Sequence, residues 1–344
     1  MAGTPPSPSA PTMKEVASLA EVSTMTVSRV LSGHAGVSAV KRERVEAAVK
    51  ELGYRTNTLA RSLRHGARTG TVGVIVTHLG NPFYARLALG IEEMLATENL
   101  RVMITNTDGD VARERDALQD FTERRVDGLI LVPAGSHQAY VADEVGASTP
   151  VVVVARPPVG LEADCVLVDD FGGAHAATAR LVAEGHRRIG FLGTPPSVYT
   201  GSERYRGFCA ALEEAGIAPD EDYVRRGQED LAAAESAATE LLALSRPPTA
   251  VFCTNNRNTL GAYRAVRRAG ARTTLAGFDN FELADVLSVP VVVVAYDPDE
   301  LGRQAARLLA DRLPSPERPG GTAIPPRRIV VPTTLLSYVP DDTY

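Results

Sequence analysis

The sequence is poor in cysteine, contains no tryptophan and has no long hydrophobic run. Its 344 residues include three cysteines, which are isolated, so neither a disulfide framework nor a zinc site is expected. The longest apolar stretches are valine runs such as Val151–Val154, far shorter than the roughly 18 residues of a membrane-spanning helix. The N-terminal segment lacks the basic and apolar regions of a secretory signal. Together these absences predict a cytoplasmic protein with no membrane partner.

Patterns that mark common enzymes and cofactor sites are also missing. The chain has no GxSxG, GxxxxGK[ST], GxGxxG or HExxH motif, and its six histidines show no metal-ligand spacing. We therefore expect a protein that is not an enzyme, with no cofactor and no catalytic or metal-binding residues.

Charge is distributed unevenly, although the net charge is only −6. Residues 1–70 carry ten Lys and Arg against five Glu and no Asp, which gives the head +5 and leaves −11 for the rest. A basic head on an acidic body suggests a nucleic-acid partner, with a solvated helix face as the alternative. The length predicts two or three domains.

Residues 12–54 predict three short helices. Thr12 and Glu15 have the spacing of a capping box, and Ser23 and Ser38 are favourable N-caps for the next two helices. A tight turn between the first two helices predicts a helix-turn-helix, whose second helix enters the major groove. Arg29 on that helix could bind guanine through two hydrogen bonds. A plain three-helix cap on a larger domain is the alternative.

From Thr71 onward, short β-branched runs alternate with amphipathic helices. Repeated β-α units predict a doubly wound parallel sheet, and nine strands are too many for one sheet, so we expect an α/β body of two lobes. The predicted strands are Val72–Val76, Val102–Thr105, Gly128–Val132, Val151–Val154, Val166–Val168, Ile189–Leu192, Ala250–Cys253, Leu275–Phe278 and Val291–Ala295.

Polar residues follow several of these strands, where ligands bind in such sheets. They occur as Asn81-Pro82-Phe83-Tyr84, Asp169-Asp170, Asn255-Asn256 and Asp279-Asn280, and Arg204 opens a later helix. Amides, carboxylates and an arginine suit a neutral polyhydroxylated ligand covered by an aromatic ring. A purine base between Phe83 and Tyr84 is the competing interpretation. Taken singly, each Asp or Asn could instead be a helix cap or a turn residue.

The residues from Met13 to Leu63 resemble the head and hinge of the LacI/GalR (lac-repressor type) transcription regulators. The motif V-A-x-x-A-x-V-S-x-x-T-V-S-R-V-L is specific to that family, and the body matches at N-P-F, G-H-R-R-I, R-x-x-G-F and G-F-D-N. The resemblance covers about residues 12–338. It implies a helix-turn-helix head joined to a two-lobed body like that of periplasmic binding proteins.

The resemblance also implies which residues contact DNA. Thr24 and Met25 open the recognition helix, and Met25 is expected to pack on a thymine methyl or a sugar. Leu63 of each subunit would wedge into the minor groove and kink the operator. The implied DNA-binding positions are Thr12, Ser23, Thr24, Met25, Thr26, Ser28, Arg29, Ser38, Lys41, Asn57, Ala60 and Leu63.

Two departures from the family pattern affect the head and the linker. Glu21 replaces the usual glycine of the turn, which raises the cost if that position needs a positive φ. Thr56 replaces the usual proline before the hinge. Neither change removes a contact.

For the body, the resemblance implies that Arg204 and Asp279 contact the effector. Asn256 stands where the family usually has aspartate, which leaves its role undecided. The predicted effector-binding residues are Asn81, Phe83, Tyr84, Asp169, Arg204, Asn255 and Asp279.

Together these features predict a homodimeric regulator, most simply a repressor, that binds a palindromic operator under the control of a sugar or nucleoside-like effector. A sugar-binding transport protein and a doubly wound enzyme are the alternatives, but neither needs a helix-turn-helix. The predicted domains are a disordered leader (1–11), the DNA-binding head (12–54), a hinge helix and linker (55–70), the effector-binding and dimerisation body (71–338) and a tail (339–344).

Overall fold

A computed structural model of the chain describes residues 11–31, 36–54, 69–146, 148–314 and 325–340. The chain divides into two compact units, Met1–Thr69 and Gly70–Tyr344. The predicted hinge contacts Asn57, Ala60 and Leu63 lie outside the described residues, as does Thr56.

The first unit contains the three predicted helices: α1 (Met13–Leu19), α2 (Thr24–Leu31) and α3 (Ala39–Leu52). Apolar residues at helical spacing pack together at their centre, and Val16, Val27 and Val45 are completely buried. Thr12 and Glu15 form the predicted capping box at the start of α1. The Oγ of Ser23 accepts a hydrogen bond from the backbone N–H of Thr26 at 3.2 Å, which caps α2.

Residues in the left-handed backbone conformation follow two helices of the head, α1 and α3. Glu21, in the turn between α1 and α2, has a φ of 52°, which is the conformation that favours glycine. Its carboxylate pairs with Arg44 of α3. Gly53 follows α3 with a φ of 61° and closes that helix, as glycine commonly does.

The second unit consists of two six-stranded sheets covered by helices, which confirms the two-lobed α/β prediction. Lobe 1 has the strand order β11-β5-β4-β3-β1-β2, and lobe 2 has β12-β10-β9-β8-β6-β7. Every pairing is parallel except β10 with β12. The strands are β1 (Thr71–Val76), β2 (Arg101–Asn106), β3 (Gly128–Leu131), β4 (Val151–Val154), β5 (Asp164–Val168), β6 (Ile189–Gly193), β7 (Val224–Arg226), β8 (Ala250–Cys253), β9 (Thr274–Phe278), β10 (Val291–Ala295), β11 (Arg328–Val331) and β12 (Thr334–Tyr338).

Eight α-helices of this unit are described. They are α4 (Pro82–Thr97), α5 (Val111–Glu123), α6 (Ala139–Val145), α7 (Asp170–Ala183), α8 (Tyr199–Glu214), α9 (Leu231–Leu242), α10 (Asn256–Ala269) and α11 (Pro298–Arg312), with short 3₁₀ turns at Glu221–Tyr223 and Ala284–Val286. None of the described helices is long and apolar enough to cross a membrane.

Three strands, β7, β11 and β12, were not predicted from the sequence. All three lie at or beside a sheet edge and are only partly buried. They therefore lack the continuous apolar run of central parallel strands such as β4 and β10, which are buried throughout.

The chain crosses between the lobes three times. After β5 it enters α7, which packs on lobe 2, and after β10 it enters α11, which packs on lobe 1. The third crossing joins β11 to β12. The first two crossings place Asp170 and Tyr296 at the junction of the lobes.

Candidate functional site

A cavity of about 240 Å³ lies between the two lobes, beyond the carboxyl ends of their strands. Lobe 1 lines it with residues that follow β1 to β4, and lobe 2 with residues of α7 and α8 and those that follow β6, β8, β9 and β10. Its polar and aromatic lining includes His78, Asn81, Phe83, Tyr84, Asp108, Arg156, Asp170, Thr194, Arg204, Thr254, Asn255, Arg257, Asp279 and Tyr296.

The structure brings six of the seven predicted effector residues to this cavity and leaves one outside. The six are Asn81, Phe83, Tyr84, Arg204, Asn255 and Asp279. Asp169 is exposed and caps α7, its carboxylate accepting a hydrogen bond from the backbone N–H of Gly172 at 2.9 Å. The neighbouring Asp170 lines the cavity instead.

Arg204 is the centre of a buried network in lobe 2. Its Nε and Nη2 both lie 2.7 Å from Oδ1 of Asp170, and its Nη1 donates to the backbone carbonyl of Thr254. Nη2 is also 3.6 Å from Oδ1 of Asp279, and the guanidinium carbon lies 3.6 Å from the centre of the Phe278 ring. Because Arg204 is only 6% exposed, these partners replace water around its charge.

Tyr296 holds the carboxylate of Asp279 in position. Its hydroxyl donates a hydrogen bond to Oδ1 of Asp279 at 2.8 Å. Burial raises the pKa of the Tyr296 phenol well above its usual value, and the Asp279 carboxylate raises it further. The hydroxyl therefore keeps its proton, and Oδ1 of Asp279 stays occupied as an acceptor.

Asp170 is the carboxyl of the network that lies nearer to Arg204. Burial raises its pKa to about 6, against the opposing effect of Arg204. Its Oδ1 takes both contacts from Arg204, whereas Oδ2 has no hydrogen-bond partner among the described residues.

Aromatic residues form part of the opposite wall. The rings of Phe83 and Tyr84 are 4.8 Å apart and inclined by 75°, and Phe83 is inclined by 63° to Tyr296 of lobe 2. Tyr84 is held by a hydrogen bond from the hydroxyl of Thr77 to its phenolic oxygen at 2.7 Å. These rings offer an apolar face and edges to a ligand, but not two parallel faces.

Asn81 and Asn255 each cap a helix and also line the cavity. A role as a helix cap therefore does not exclude a role in ligand binding. Asn81 accepts from the N–H of Phe83 at 3.1 Å and Asn255 from that of Asn258 at 2.8 Å. Asn256 points elsewhere. Its Nδ2 donates to Oδ1 of Asn81 at 3.0 Å, which joins lobe 2 to lobe 1.

Three of the six non-glycine residues with a positive φ in the described part of the chain line the cavity. Asp108, Ala155 and Asp279 line it with φ values of 57°, 65° and 69°. Non-glycine residues rarely adopt this conformation, and such residues cluster at binding sites. Asp279 is the first residue after β9. With its positive φ, the carboxylate lies beside Arg204.

Several cavity residues were missed in the sequence. Tyr296 and Arg156 both follow predicted strands, β10 and β4, so the rule that found Asn81 and Asp279 could have found them as well. Thr194 follows β6 in the same way. Arg257 directly follows Asn255 and Asn256 after β8, so the same rule could have found it too.

The structure places the predicted DNA contacts of the head on and around α2. Met25 at the start of α2 is 64% exposed, and Arg29 is also exposed. Thr26 and Ser28 are half-buried, whereas Thr12, Ser23, Thr24, Ser38 and Lys41 are exposed. An exposed helix start with short polar side chains is compatible with insertion in the major groove. Within the described ranges, no group of three or more His, Cys, Asp or Glu could hold a metal ion.

Two family models match the chain. "Bacterial regulatory proteins, lacI family" matches residues 12–57, and "Periplasmic binding proteins and sugar binding domain of LacI family" matches residues 69–331. The ribose operon repressor of Haemophilus influenzae is 36% identical over 310 residues, which are 89% of this chain and 92% of the relative.

Solved structures are similar as well. The complex of the transcriptional regulator CelR with cellobiose has a TM-score of 0.70 and 31% identity, over 95% of this chain and 98% of that one. The lac repressor dimer bound to operator and the anti-inducer ONPF has a TM-score of 0.81 over 94% of this chain and 97% of that one; its 24% identity supports the fold alone.

Proposed function

Because the chain belongs to the lacI family of bacterial regulatory proteins, we propose that it represses transcription under the control of a small molecule bound between its lobes. The buried network of Arg204, Asp170 and Asp279 in the interlobe cavity carries this proposal. Ionised groups buried in a cavity wall are costly, and a polar ligand offers them partners. As a member of this family, the chain acts as a regulator rather than an enzyme. It works in the cytoplasm, the compartment that contains the bacterial DNA.

The effector is a neutral polyhydroxylated molecule, most simply a sugar. The charge of Arg204 is already offset by two carboxylates, so an anionic ligand gains little from it. The similar proteins include a ribose operon repressor and a regulator in complex with cellobiose. A purine base is less suited, because Phe83, Tyr84 and Tyr296 are inclined to one another and cannot enclose a flat ring.

Two heads of a homodimer bind the half-sites of a palindromic operator. The base-reading residues are Arg29, by two hydrogen bonds to guanine, and Met25, by apolar contact. Thr24 opens the recognition helix beside Met25 and contributes to the choice of operator. The phosphate contacts are Thr12, Ser23, Thr26, Ser28, Ser38 and Lys41, and Asn57, Ala60 and Leu63 form the hinge contact in the minor groove. The effector shifts operator binding only through its different affinities for two arrangements of the lobes.

Fluorescence anisotropy of labelled fragments from the upstream region of the protein's own gene tests this function. We expect salt-sensitive binding that is selective for one palindromic fragment and is changed by one sugar of a panel that includes D-ribose and cellobiose. Arg29→Ala should lose about 1–3 kcal/mol on that fragment and much of its selectivity.

Weak binding that is indifferent to sequence and abolished by moderate salt would contradict operator recognition. Selective binding that no sugar or nucleoside alters would contradict control by an effector, while leaving DNA recognition intact.

A further inference from the structure

Two residues that line the cavity each have a buried side-chain oxygen without a hydrogen-bond partner among the described residues. These oxygens are Oδ2 of Asp170 and Oγ1 of Thr194. Leaving a buried polar group unpaired typically costs about 1–3 kcal/mol, and more for a charged one. Asp170 is only 3% exposed, so bulk water does not compensate Oδ2. A molecule entering the cavity can supply the missing partner.

The hydrogen bonds that Arg204 and Tyr296 donate here go to atoms other than Oδ2 of Asp170. Nε and Nη2 of Arg204 both donate to Oδ1 of Asp170, and Nη1 donates to the carbonyl of Thr254. The hydroxyl of Tyr296 donates to Asp279. Oδ2 of Asp170 is thus an acceptor with which a donor from the effector can pair.

We propose that Asp170 determines the specificity of the cavity by accepting, at Oδ2, a hydrogen bond from a hydroxyl group of the effector. This inference rests on the proposed function and adds a requirement to it. The effector must present a donor beside Arg204, and a phosphate or carboxylate at that position is rejected because it would face the carboxylate oxygen. The cavity therefore selects a free sugar over its phosphate ester.

The charge state of Asp170 gives this interaction a pH dependence. The charged and titratable groups that act on it are Arg204 and Glu203 of α8, Asp279 after β9, and the phenols Tyr199 and Tyr296. With a pKa of about 6, Asp170 is mostly ionised at pH 7 and mostly protonated at pH 5. A protonated Oδ2 no longer accepts in the same way, so effector affinity falls as the pH drops below 6.

Asp170→Asn tests the proposal, with Asp169→Asn as the matched control. Asparagine at 170 keeps an oxygen for Arg204 but replaces the acceptor Oδ2 with a donor. Asparagine at 169 preserves the helix cap outside the cavity. Calorimetric titration of the full chain would use D-ribose, cellobiose and D-glucose, with D-ribose 5-phosphate as the anionic counterpart.

We expect the sugar that binds the wild-type protein to bind Asp170→Asn about 10- to 100-fold more weakly, since a hydrogen bond to a charged group is lost. Asp169→Asn should bind it like the wild type. Both variants should retain operator binding, which shows that they are folded. The wild-type affinity should rise between pH 5 and pH 7, and this rise should be absent in Asp170→Asn.

Equal affinity of the wild type and Asp170→Asn, or a preference for the phosphate ester over the free sugar, would overturn the role of Asp170. A rise in affinity between pH 5 and pH 7 that is the same in the wild type and in Asp170→Asn would also overturn it. Absence of binding by all the sugars would contradict the effector cavity itself, so the two failures can be told apart.

Discussion

At the scale of single residues, Glu21 is held in a conformation that its side chain does not favour. Its φ of 52° costs an L-residue roughly 1–2 kcal/mol relative to glycine, whereas glycine has the greater entropy in the unfolded chain. We expect Glu21→Gly to stabilise the head by about 1 kcal/mol relative to Glu21→Ala, the reverse of the usual order. Hydrogen exchange of the buried α2 amides in the full chain would measure this difference.

Arg44→Ala is the control for the ion pair that Glu21 makes. It removes the partner of the carboxylate without changing the backbone at residue 21. Both side chains are largely exposed, so the variant should cost less than about 1 kcal/mol. If Glu21→Ala proved as stable as Glu21→Gly, the positive φ would not be the origin of the effect.

Asp169 and Asp170 show how far sequence reasoning can resolve single residues. Two carboxylates directly follow β5, at the edge of the sheet where ligands bind, and the prediction chose Asp169; the structure places Asp170 at the cavity instead. Which of the two faces the cavity depends on the rotation of α7 about its axis. Asp169 takes the N-cap, so Asp170, one helical step later, turns inward. No local pattern distinguishes the two positions.

At the scale of elements, the close crossing of α4 and α11 in lobe 1 depends on glycine. A Cβ at Gly90 would overlap the carbonyl oxygen of Asp299, and one at Gly302 would overlap that of Leu87. We expect Gly90→Ala to destabilise the body by at least about 1–3 kcal/mol, because the obstructing atoms are backbone atoms that cannot rotate away. Urea unfolding of the full chain, followed by circular dichroism, would measure the loss.

Gly190→Ala is the matched control, because the nearest atoms to its added methyl lie 3.4 Å away, at ordinary contact distance. It should change the unfolding midpoint much less than Gly90→Ala. An unchanged midpoint for Gly90→Ala would mean that the two helices can separate without loss of packing.

Among the strands that the sequence predicted, all but the edge strand β2 are almost entirely buried. Nine strands were recognised as apolar runs, and the capping box and N-cap serine placed α1 and α2. The missed strands β7, β11 and β12 are short or exposed, and their pairing is determined by the completed sheet rather than by their own composition. Elements with a strong local signal were therefore predictable, whereas those completed by tertiary contacts were not.

At the scale of the whole molecule, three chain crossings and a side-chain hydrogen bond beside the cavity connect the lobes. The sequence predicted two lobes and a ligand edge, but it could not show that one residue would bridge them. Asn256 had no assigned role until the structure paired it with Asn81 of the other lobe. This contact joins groups 175 positions apart in the chain, a distance over which no sequence pattern is informative.

The bond between Asn256 and Asn81 exists only in lobe arrangements in which the starts of α10 and α4 meet. Asn256→Ala removes it, while Asn81 keeps its hydrogen bond from Phe83, so no new unpaired group is created on lobe 1. The population of this arrangement should fall about two- to tenfold, which corresponds to the net free energy of one hydrogen bond.

If effector and operator each favour one lobe arrangement, Asn256→Ala must shift both the effector affinity and the operator affinity, each measured in the absence of the other ligand. Calorimetry for the effector and anisotropy for the operator would test this linkage in the same protein preparation. A shift in effector affinity with unchanged operator affinity would mean that the contact belongs to the cavity alone and takes no part in transmitting the signal between the two sites.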